Sequence, residues 1–191
     1  RLLEHPEFDR RDFSQITSVG GGGSIWSPEL QRLIREKLPQ ATPAFQVGYG
    51  LTESAALLTM ADEAMLRAHP DSVGCALATA QIEIRGEDGR ALSFGRDGDI
   101  CARGPMVMPG YWRNDAANAE TLLPGAWLKT GDVGQVRGDF LFLASRKRDL
   151  ILRGGENVYP VEIENRLEEH PGIAESAVVG VPHRELGQEV K

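Results

Sequence analysis

The sequence predicts a mixed chain: the end of an α/β sheet layer, then a small antiparallel β-barrel subdomain, then the start of a small α+β C-terminal domain. Three changes of pattern support this division. Residues 1–60 alternate between β-prone and helical runs. After about Pro70, short alternating runs are separated by turn signals, and after Asp149 the period changes again. We therefore expect three regions, at residues 1–70, 71–147 and 148–191.

The first region begins with a β-prone run at residues 16–19 that enters a loop of four glycines. Ser27, Pro28 and Glu29 then supply an N-cap, a proline at the first helical position and an acid in the first turn. Apolar residues follow at helical spacing, so we expect an amphipathic helix that ends before Pro39. Residues 45–47 form a predicted buried strand that runs into a glycine turn, where open α/β sheets bind their ligands.

The second region shows alternating runs separated by turn sequences, a pattern that predicts antiparallel hairpins and a small barrel. These runs lie at residues 81–85, 98–102 and 140–143. In the third region, Pro160 is expected to open a helix with Ile163 and Leu167 on its inner face. A strand over residues 173–181 should follow, closed by Pro182.

Composition narrows the classes of function. The 191 residues carry a net charge of −7, which argues against a nucleic-acid partner because phosphate neutralisation needs a basic face. No apolar run approaches the ~20 residues needed to span a bilayer. Cys75 and Cys101 lack CxxC spacing, so we expect buried free thiols in the cytoplasm, with a disulfide as the alternative. The chain opens at Arg1 without a Met and stops in a predicted strand, and we expect it to be a piece of a longer protein. Its oligomeric state cannot be read.

The first candidate site is residues 48–53, with the sequence GYGLTE. Glycines on both sides of Tyr49 let the backbone approach a flat ligand, and the ring offers a stacking face. A threonine hydroxyl can donate to phosphate, and a glutamate is a hard ligand that suits Mg²⁺. Alternatively, this is an ordinary turn with a core tyrosine and a solvated glutamate. The candidate ligands here are Gly48, Tyr49, Gly50, Thr52 and Glu53.

Two isolated polar residues add to this set. Asp132 follows Thr130 and Gly131, and a carboxylate on a tight turn can accept two hydrogen bonds from a ribose diol. The alternative is a turn in which Asp132 caps its own backbone. Arg146 offers a fixed fork of donors that suits ribose and phosphate oxygens. It could instead belong to a solvated basic run with Lys147.

Two further glycine-rich segments are candidate ligand contacts. The loop before the first helix precedes a helix N-terminus, where phosphate can bind, but no Lys follows at Walker spacing. The second segment is a glycine pair that lets main chain lie against a thin, extended ligand. The candidate residues are Gly22, Gly23, Ser24, Gly154 and Gly155.

In this order and spacing, the polar blocks at residues 48–53, 129–132, 145–149 and 153–160 resemble the adenylate-forming superfamily of acyl-CoA synthetases, luciferases and peptide-synthetase adenylation domains. The resemblance runs from about Ser18 to the last residue. It implies that Tyr49 and residues 22–24 lie along adenine and that Asp132 takes both ribose hydroxyls. It also implies that Thr52 meets phosphate and Glu53 meets Mg²⁺.

The same resemblance implies an interdomain hinge at Arg148. In related acyl-CoA synthetases the loop matching Gly154 and Gly155 swings into the active site and borders the pantetheine tunnel. Residues 160–164 look more like CoA ligases than like peptide-synthetase domains. The hinge position departs from the commonest types, Asp and Lys, and Ile25 stands where the family commonly has Pro.

The function implied by the resemblance is that of an AMP-forming acid–thiol ligase. It would activate a carboxylic acid, expected to be a fatty acid, with ATP and Mg²⁺ and transfer the acyl group to coenzyme A. Neither the family's loop for the β,γ-phosphates nor its later catalytic lysine occurs in these 191 residues, so we expect no turnover from the chain alone. The alternatives are an adenylation domain that loads a carrier protein and a non-catalytic nucleotide-binding module.

Overall fold

The computed structural model describes residues 2–23, 26–170, 172–173 and 175–191. Within these ranges it contains four α-helices and thirteen strands, together with short 3-10 turns. The helices are α1 (Pro28–Lys37), α2 (Glu63–Ala68), α3 (Asp115–Thr121) and α4 (Pro160–Glu168). The strands are β1 (Val19–Gly21), β2 (Phe45–Tyr49), β3 (Thr59–Asp62), β4 (Ser72–Ala76), β5 (Gln81–Arg85), β6 (Gly98–Arg103), β7 (Leu122–Leu123), β8 (Trp127–Arg137), β9 (Phe140–Arg146), β10 (Ile151–Arg153), β11 (Glu156–Val158), β12 (Gly180–His183) and β13 (Gly187–Val190). Every helix in the described ranges is too short or too polar to cross a bilayer.

Nine strands form one large sheet in the order β1-β2-β3-β4-β9-β8-β6-β5, with β7 added at β8. The β1–β2 pair is parallel and the other pairs are antiparallel. The predicted antiparallel hairpins are therefore confirmed, and the sheet continues across residue 70 through the β3–β4 pair. The remaining four strands form a second sheet, β11-β10-β13-β12, which together with α4 is the predicted small α+β unit.

The predicted barrel is not closed. Among the described residues the strand path is open, with β1 and β5 at its two ends. The sheet is nevertheless strongly curled. In a flat sheet, four spacings of about 4.8 Å would separate β2 from β8 by about 19 Å, yet the hydroxyl of Tyr49 on β2 lies 2.8 Å from the carboxylate of Asp132 on β8. The curl encloses an apolar core formed by Tyr49, Leu58, Val73, Ala80, Ile84, Ile100, Ala102 and Leu141.

Helix α1 begins and ends where the sequence predicts. The Ser27 hydroxyl accepts a hydrogen bond from the backbone N–H of Leu30 at 3.2 Å, and Pro28 occupies the first helical position. The helix buries Ile34 in a second apolar core together with Phe45 and Val47 of β2. Trp26, just before the helix, packs on Phe45 at the start of β2, so α1 lies against the strand that leads to the candidate site.

Two expectations for the third region are wrong. Leu167 of α4 is 39% exposed rather than buried. The strand expected over residues 173–181 begins only at Gly180 and continues through Pro182. Because β12 is an edge strand of the second sheet, a residue without an N–H is tolerated there.

Candidate functional site

The turn after β2 is built so that Thr52 and Glu53 leave the sheet together. Gly50 is required at its start, because a Cβ there would lie 1.7 Å from the carbonyl oxygen of Ala56. The Ser54 hydroxyl then accepts from the N–H of Leu51 at 3.1 Å and donates to the carbonyl of the same residue at 3.0 Å. These bonds hold residues 52–54 as one 3-10 turn, with the Thr52 side chain exposed and Glu53 half-buried.

Three predicted ligands from distant parts of the chain meet at one place. The Tyr49 hydroxyl donates to Oδ2 of Asp132 at 2.8 Å, and Asp132 pairs directly with Arg146 across strands β8 and β9. The backbone N–H of Asp132 donates to the Thr130 hydroxyl at 3.2 Å, and that hydroxyl donates to the carbonyl of Ile100 at 2.9 Å. The site therefore presents a phenol, a carboxylate and a guanidinium side by side.

Electrostatics keep the phenol protonated and leave the carboxylate partly desolvated. Burial, and next the charge of Asp132, raise the pKa of Tyr49 well above its ordinary value, so its hydroxyl acts as a donor. Burial also raises the pKa of Asp132, while the Tyr49 hydrogen bond and the charge of Arg146 work in the opposite direction. A carboxylate in this state binds hydroxyl donors strongly because water competes poorly for it.

The Tyr49 side chain also belongs to the core. Only 7% of its surface is exposed, and its neighbours include Leu58 and Leu51. The core role that the sequence left open for this residue is therefore present, together with a polar role for its hydroxyl. Contact between its ring and a base remains a prediction.

The glycine run before α1 lies against the same strand end. A Cβ on Gly22 would come within 2.6 Å of the carbonyl oxygen of Gly48, so side-chain-free backbone is required where these two segments touch. Trp26 covers the run, since a Cβ on Gly21 would lie 2.2 Å from its ring. Gly23 is exposed, and Ser24, the third member of this predicted stretch, lies outside the described residues.

Glu53 is held by a segment that the sequence reasoning did not select. The Tyr111 hydroxyl donates to Oε1 of Glu53 at 2.6 Å, and the backbone N–H of Met108 donates to the Glu53 carbonyl at 2.8 Å. Among the described residues no group of three or more His, Cys, Asp or Glu side chains could hold a metal ion. A single half-buried carboxylate nonetheless suits Mg²⁺, which takes few protein ligands when phosphate and water supply the rest.

A charge cluster around the buried Asp99, also missed from the sequence, joins β6, β8 and the residue after Arg146. The Asp99 side chain is 8% exposed and lies 3.0 Å from Nζ of Lys129 and 2.9 Å from Nζ of Lys147. Lys147 follows Arg146 directly, so the solvated run that the sequence allowed is instead tied to β6. Ile100 and Ala102 of β6 belong to the apolar core, so alternation places Asp99 on the opposite face of the strand, and no local sequence signal shows that this face is covered by two lysines.

The hinge candidate and the second glycine pair take no part in the Tyr49–Asp132 hydrogen bond, although the charge of Arg148 opposes the rise that burial causes in the pKa of Asp132. Arg148 is 73% exposed, and its contact is with its neighbour Asp149 at 3.5 Å. Gly154 and Gly155, at φ of +60° and +89°, form the two-residue turn between β10 and β11, which requires left-handed conformations. No hydrogen bond among the described residues joins this turn to Tyr49, Asp132 or Arg146.

Comparisons with known proteins show the family of the chain. A family model described as AMP-binding enzyme matches residues 1–112, and a model of the AMP-binding enzyme C-terminal domain matches residues 162–191. A long-chain-fatty-acid–CoA ligase of Escherichia coli O157:H7 is 38% identical over all of this chain and 33% of its own length. An indoleacetate–CoA ligase of Aromatoleum aromaticum is 39% identical over 94% of this chain and 34% of its own length. The chain thus spans about a third of the curated relatives it matches.

Solved structures show the same fold. The amide bond synthetase McbA from Marinactinospora thermotolerans superposes with a TM-score of 0.87 at 36% identity, over 99% of this chain and 38% of that one. An o-succinylbenzoate–CoA synthetase from Bacillus subtilis, in complex with ATP and magnesium ion, gives a TM-score of 0.82 at 32% identity, over 99% of this chain and 38% of that one.

Proposed function

This chain belongs to the AMP-binding enzyme family, and from that premise we propose that it forms the nucleotide-holding part of an ATP-dependent acid–thiol ligase. The observation that carries the proposal is the convergence of Tyr49, Asp132 and Arg146 from segments up to 97 positions apart, shown by one hydrogen bond and one strand pair. We further propose that the enzyme acts in the cytoplasm, where its free Cys75 and Cys101 would stay reduced.

Each member of this set has a chemical task in the proposal. Asp132 accepts hydrogen bonds from both ribose hydroxyls, and the Tyr49 hydroxyl fixes its orientation. Arg146 donates to ribose or phosphate oxygens. Thr52 donates to a phosphate oxygen, and Glu53 would ligate Mg²⁺, which when bound supplies positive charge that neutralises the phosphates.

The proposed reaction has two steps. A carboxylate oxygen of the acid attacks the α-phosphorus of ATP, the bond to the β-phosphate oxygen breaks, and acyl-AMP and pyrophosphate form. The sulfur of coenzyme A then attacks the acyl carbonyl carbon, AMP leaves, and the thiol proton goes to solvent. Positioning and charge neutralisation supply the acceleration, since little covalent chemistry falls to the protein.

The fatty nature of the acid is the narrower part of the proposal. The E. coli relative is named for long-chain fatty acids, whereas the A. aromaticum relative is named for indoleacetate. A pyrophosphate-exchange assay on the full-length protein, run with fatty and aromatic acids, tests this choice. If only aromatic acids support exchange, the proposal that the substrate is a fatty acid is contradicted, whereas the proposed ligase activity still stands.

Changing Asp132 tests the site itself. In the full-length protein, Asp132→Ala should raise the KM for ATP in pyrophosphate exchange by about tenfold or more, because a charged hydrogen-bond partner is lost. Asp139→Ala is the matched control, since this aspartate lies in the exposed turn between β8 and β9. Equal behaviour of the two variants would contradict the assignment of Asp132 to the nucleotide.

A second candidate differs only in the acceptor. The similarity to an amide bond synthetase favours testing an amine as the group that attacks acyl-AMP. Supplying the full-length protein with coenzyme A, an amine or a phosphopantetheinyl carrier separates the possibilities, because mass spectrometry distinguishes thioester from amide. We expect the coenzyme A thioester.

A further inference from the structure

The segment that precedes α3 donates two hydrogen bonds to Glu53, one to its backbone and one to its side chain. The N–H of Met108 donates to its backbone carbonyl at 2.8 Å, and the Tyr111 hydroxyl donates to Oε1 of its carboxylate at 2.6 Å. Oε1 therefore accepts a hydrogen bond from the protein, whereas no residue within the described ranges donates to Oε2.

Tyr111 is itself held by the side chain of one residue. Its backbone N–H donates to Oδ1 of Asn118 at 2.6 Å, and Nδ2 of Asn118 donates to its backbone carbonyl at 3.1 Å. Asn118 lies on α3, which is capped by the side chain of Asn114. Glycine is favoured before Tyr111, because Gly110 has a φ of +145° and a Cβ there would also make a tight contact, 3.0 Å, with Oδ1 of Asn118.

We propose that Tyr111 is a positioning residue that aims the Glu53 carboxylate at the divalent cation accompanying the nucleotide, with Asn118 as the support of Tyr111. This inference rests on the proposed function. A glutamate side chain has three rotatable bonds, and at a half-exposed turn it would sample several rotamers. The phenol removes that freedom, and such partners of metal ligands influence metal affinity strongly.

Binding of Mn²⁺, a spectroscopic substitute for Mg²⁺, gives a measurement independent of turnover. In the full-length protein, electron paramagnetic resonance would follow Mn²⁺ binding in the presence of α,β-methylene-ATP. Tyr111→Phe removes only the hydroxyl and should weaken Mn²⁺ binding by about tenfold or more. The affinity for AMP without metal should stay unchanged, because this substitution does not alter Tyr49, Asp132 or Arg146.

Trp112→Phe is the matched control, since this neighbouring aromatic side chain is 85% exposed. Asn118→Ser, a second variant, should move Mn²⁺ affinity in the same direction as Tyr111→Phe. In kinetics, both variants should raise the Mg²⁺ concentration needed for half-maximal rate, with kcat recovered at saturating Mg²⁺.

Two failures can be told apart. If the unaltered protein binds the analogue without any metal dependence, both the proposed function and this inference fall. If the unaltered protein shows that dependence but Tyr111→Phe and Asn118→Ser bind Mn²⁺ as tightly as Trp112→Phe does, the inference alone is overturned.

Discussion

Asp132 is a carboxylate that folding moves partly out of water. Its pKa is raised, chiefly by burial, so the folded chain binds its proton more readily than the unfolded chain does. The charged form therefore costs stability at neutral pH, and that cost disappears as pH falls through the folded pKa to below the ordinary value of 3.8. A charged residue that lowers the stability of the fold in this way is better explained by a role in ligand binding than by a role in folding.

At the scale of this residue, we predict that removing the charge of Asp132 raises the stability of the fold and weakens nucleotide binding. Asp132→Asn keeps an oxygen that can accept from the Tyr49 hydroxyl but removes the charge. We expect a higher Tm than that of the unaltered chain at pH 7, weaker AMP binding, and no difference in Tm below the ordinary carboxyl pKa. Thermal unfolding across pH and calorimetric AMP titration measure both effects. A lower Tm at pH 7 would show that the charge stabilises the fold.

Sequence reasoning at the residue scale found groups with a recognisable neighbourhood and missed groups without one. Tyr49, Asp132 and Arg146 sit in short glycine-rich or basic motifs, which pointed to them. Tyr111 contacts a residue 58 positions away, and Asp99 reaches Lys147 across 48 positions. No local pattern encodes such pairs, since they depend on how the strands are placed.

At the scale of elements, the turn after β2 shows how tightly local sterics fix the site. Gly50→Ala should lower the free energy of unfolding by about 3 kcal/mol, because its Cβ would overlap backbone atoms that cannot move aside. Gly131→Ala is the matched control: its φ of +81° is strained for alanine, but nothing lies within 4 Å of the added Cβ. That variant should lose only about 1–2 kcal/mol. Urea unfolding measures both, and equal losses would contradict the steric argument.

Elements with strong local signals were predicted well. Helix α1 has its cap, its proline and its apolar spacing in one short segment, and β2 has an apolar run before a glycine. The closure of the sheet could not be predicted, because alternation reports that a strand has two faces and not whether the two sheet edges meet. Pro182 was misjudged for a similar reason: its effect depends on whether the strand is at an edge.

At the scale of the whole molecule, the Asp99 cluster defines which part of the connection between the two sheets is fixed. Lys147 is bound to β6 through Asp99, whereas Arg148 is 73% exposed. We therefore expect any rotation of the second sheet to begin after Lys147. This expectation agrees with the hinge predicted at Arg148, which stays a prediction.

Asp99→Asn tests whether Lys147 is anchored. The variant should lose about 1–3 kcal/mol of stability and should exchange the amide hydrogens of residues 146–148 faster than the unaltered full-length protein does. Lys129→Met removes the other arm of the cluster but leaves the Lys147 bond, so exchange at these residues should stay slow. Mass spectrometry of overlapping peptides measures the difference. Similar exchange in the two variants would argue against an anchor.

Arg148→Pro tests the rotation. A proline restricts backbone rotation at this residue, so the full-length protein should still form acyl-AMP while thioester formation falls by about tenfold or more, a loss of ~1.4 kcal/mol in transition-state stabilisation. Arg148→Ala keeps the rotation and should retain both steps. Stopped-flow measurement of each half-reaction checks this. If Arg148→Pro slows acyl-AMP formation and thioester formation equally, the hinge is not at this residue.

The curl of the large sheet has a mechanical consequence. The hydrogen bond between Tyr49 and Asp132 joins β2 to β8, two strands that a flat sheet would keep far apart. A ligand that binds Asp132 would share this carboxylate with the Tyr49 hydroxyl. We therefore expect binding at Asp132 and the curvature of the sheet to affect each other.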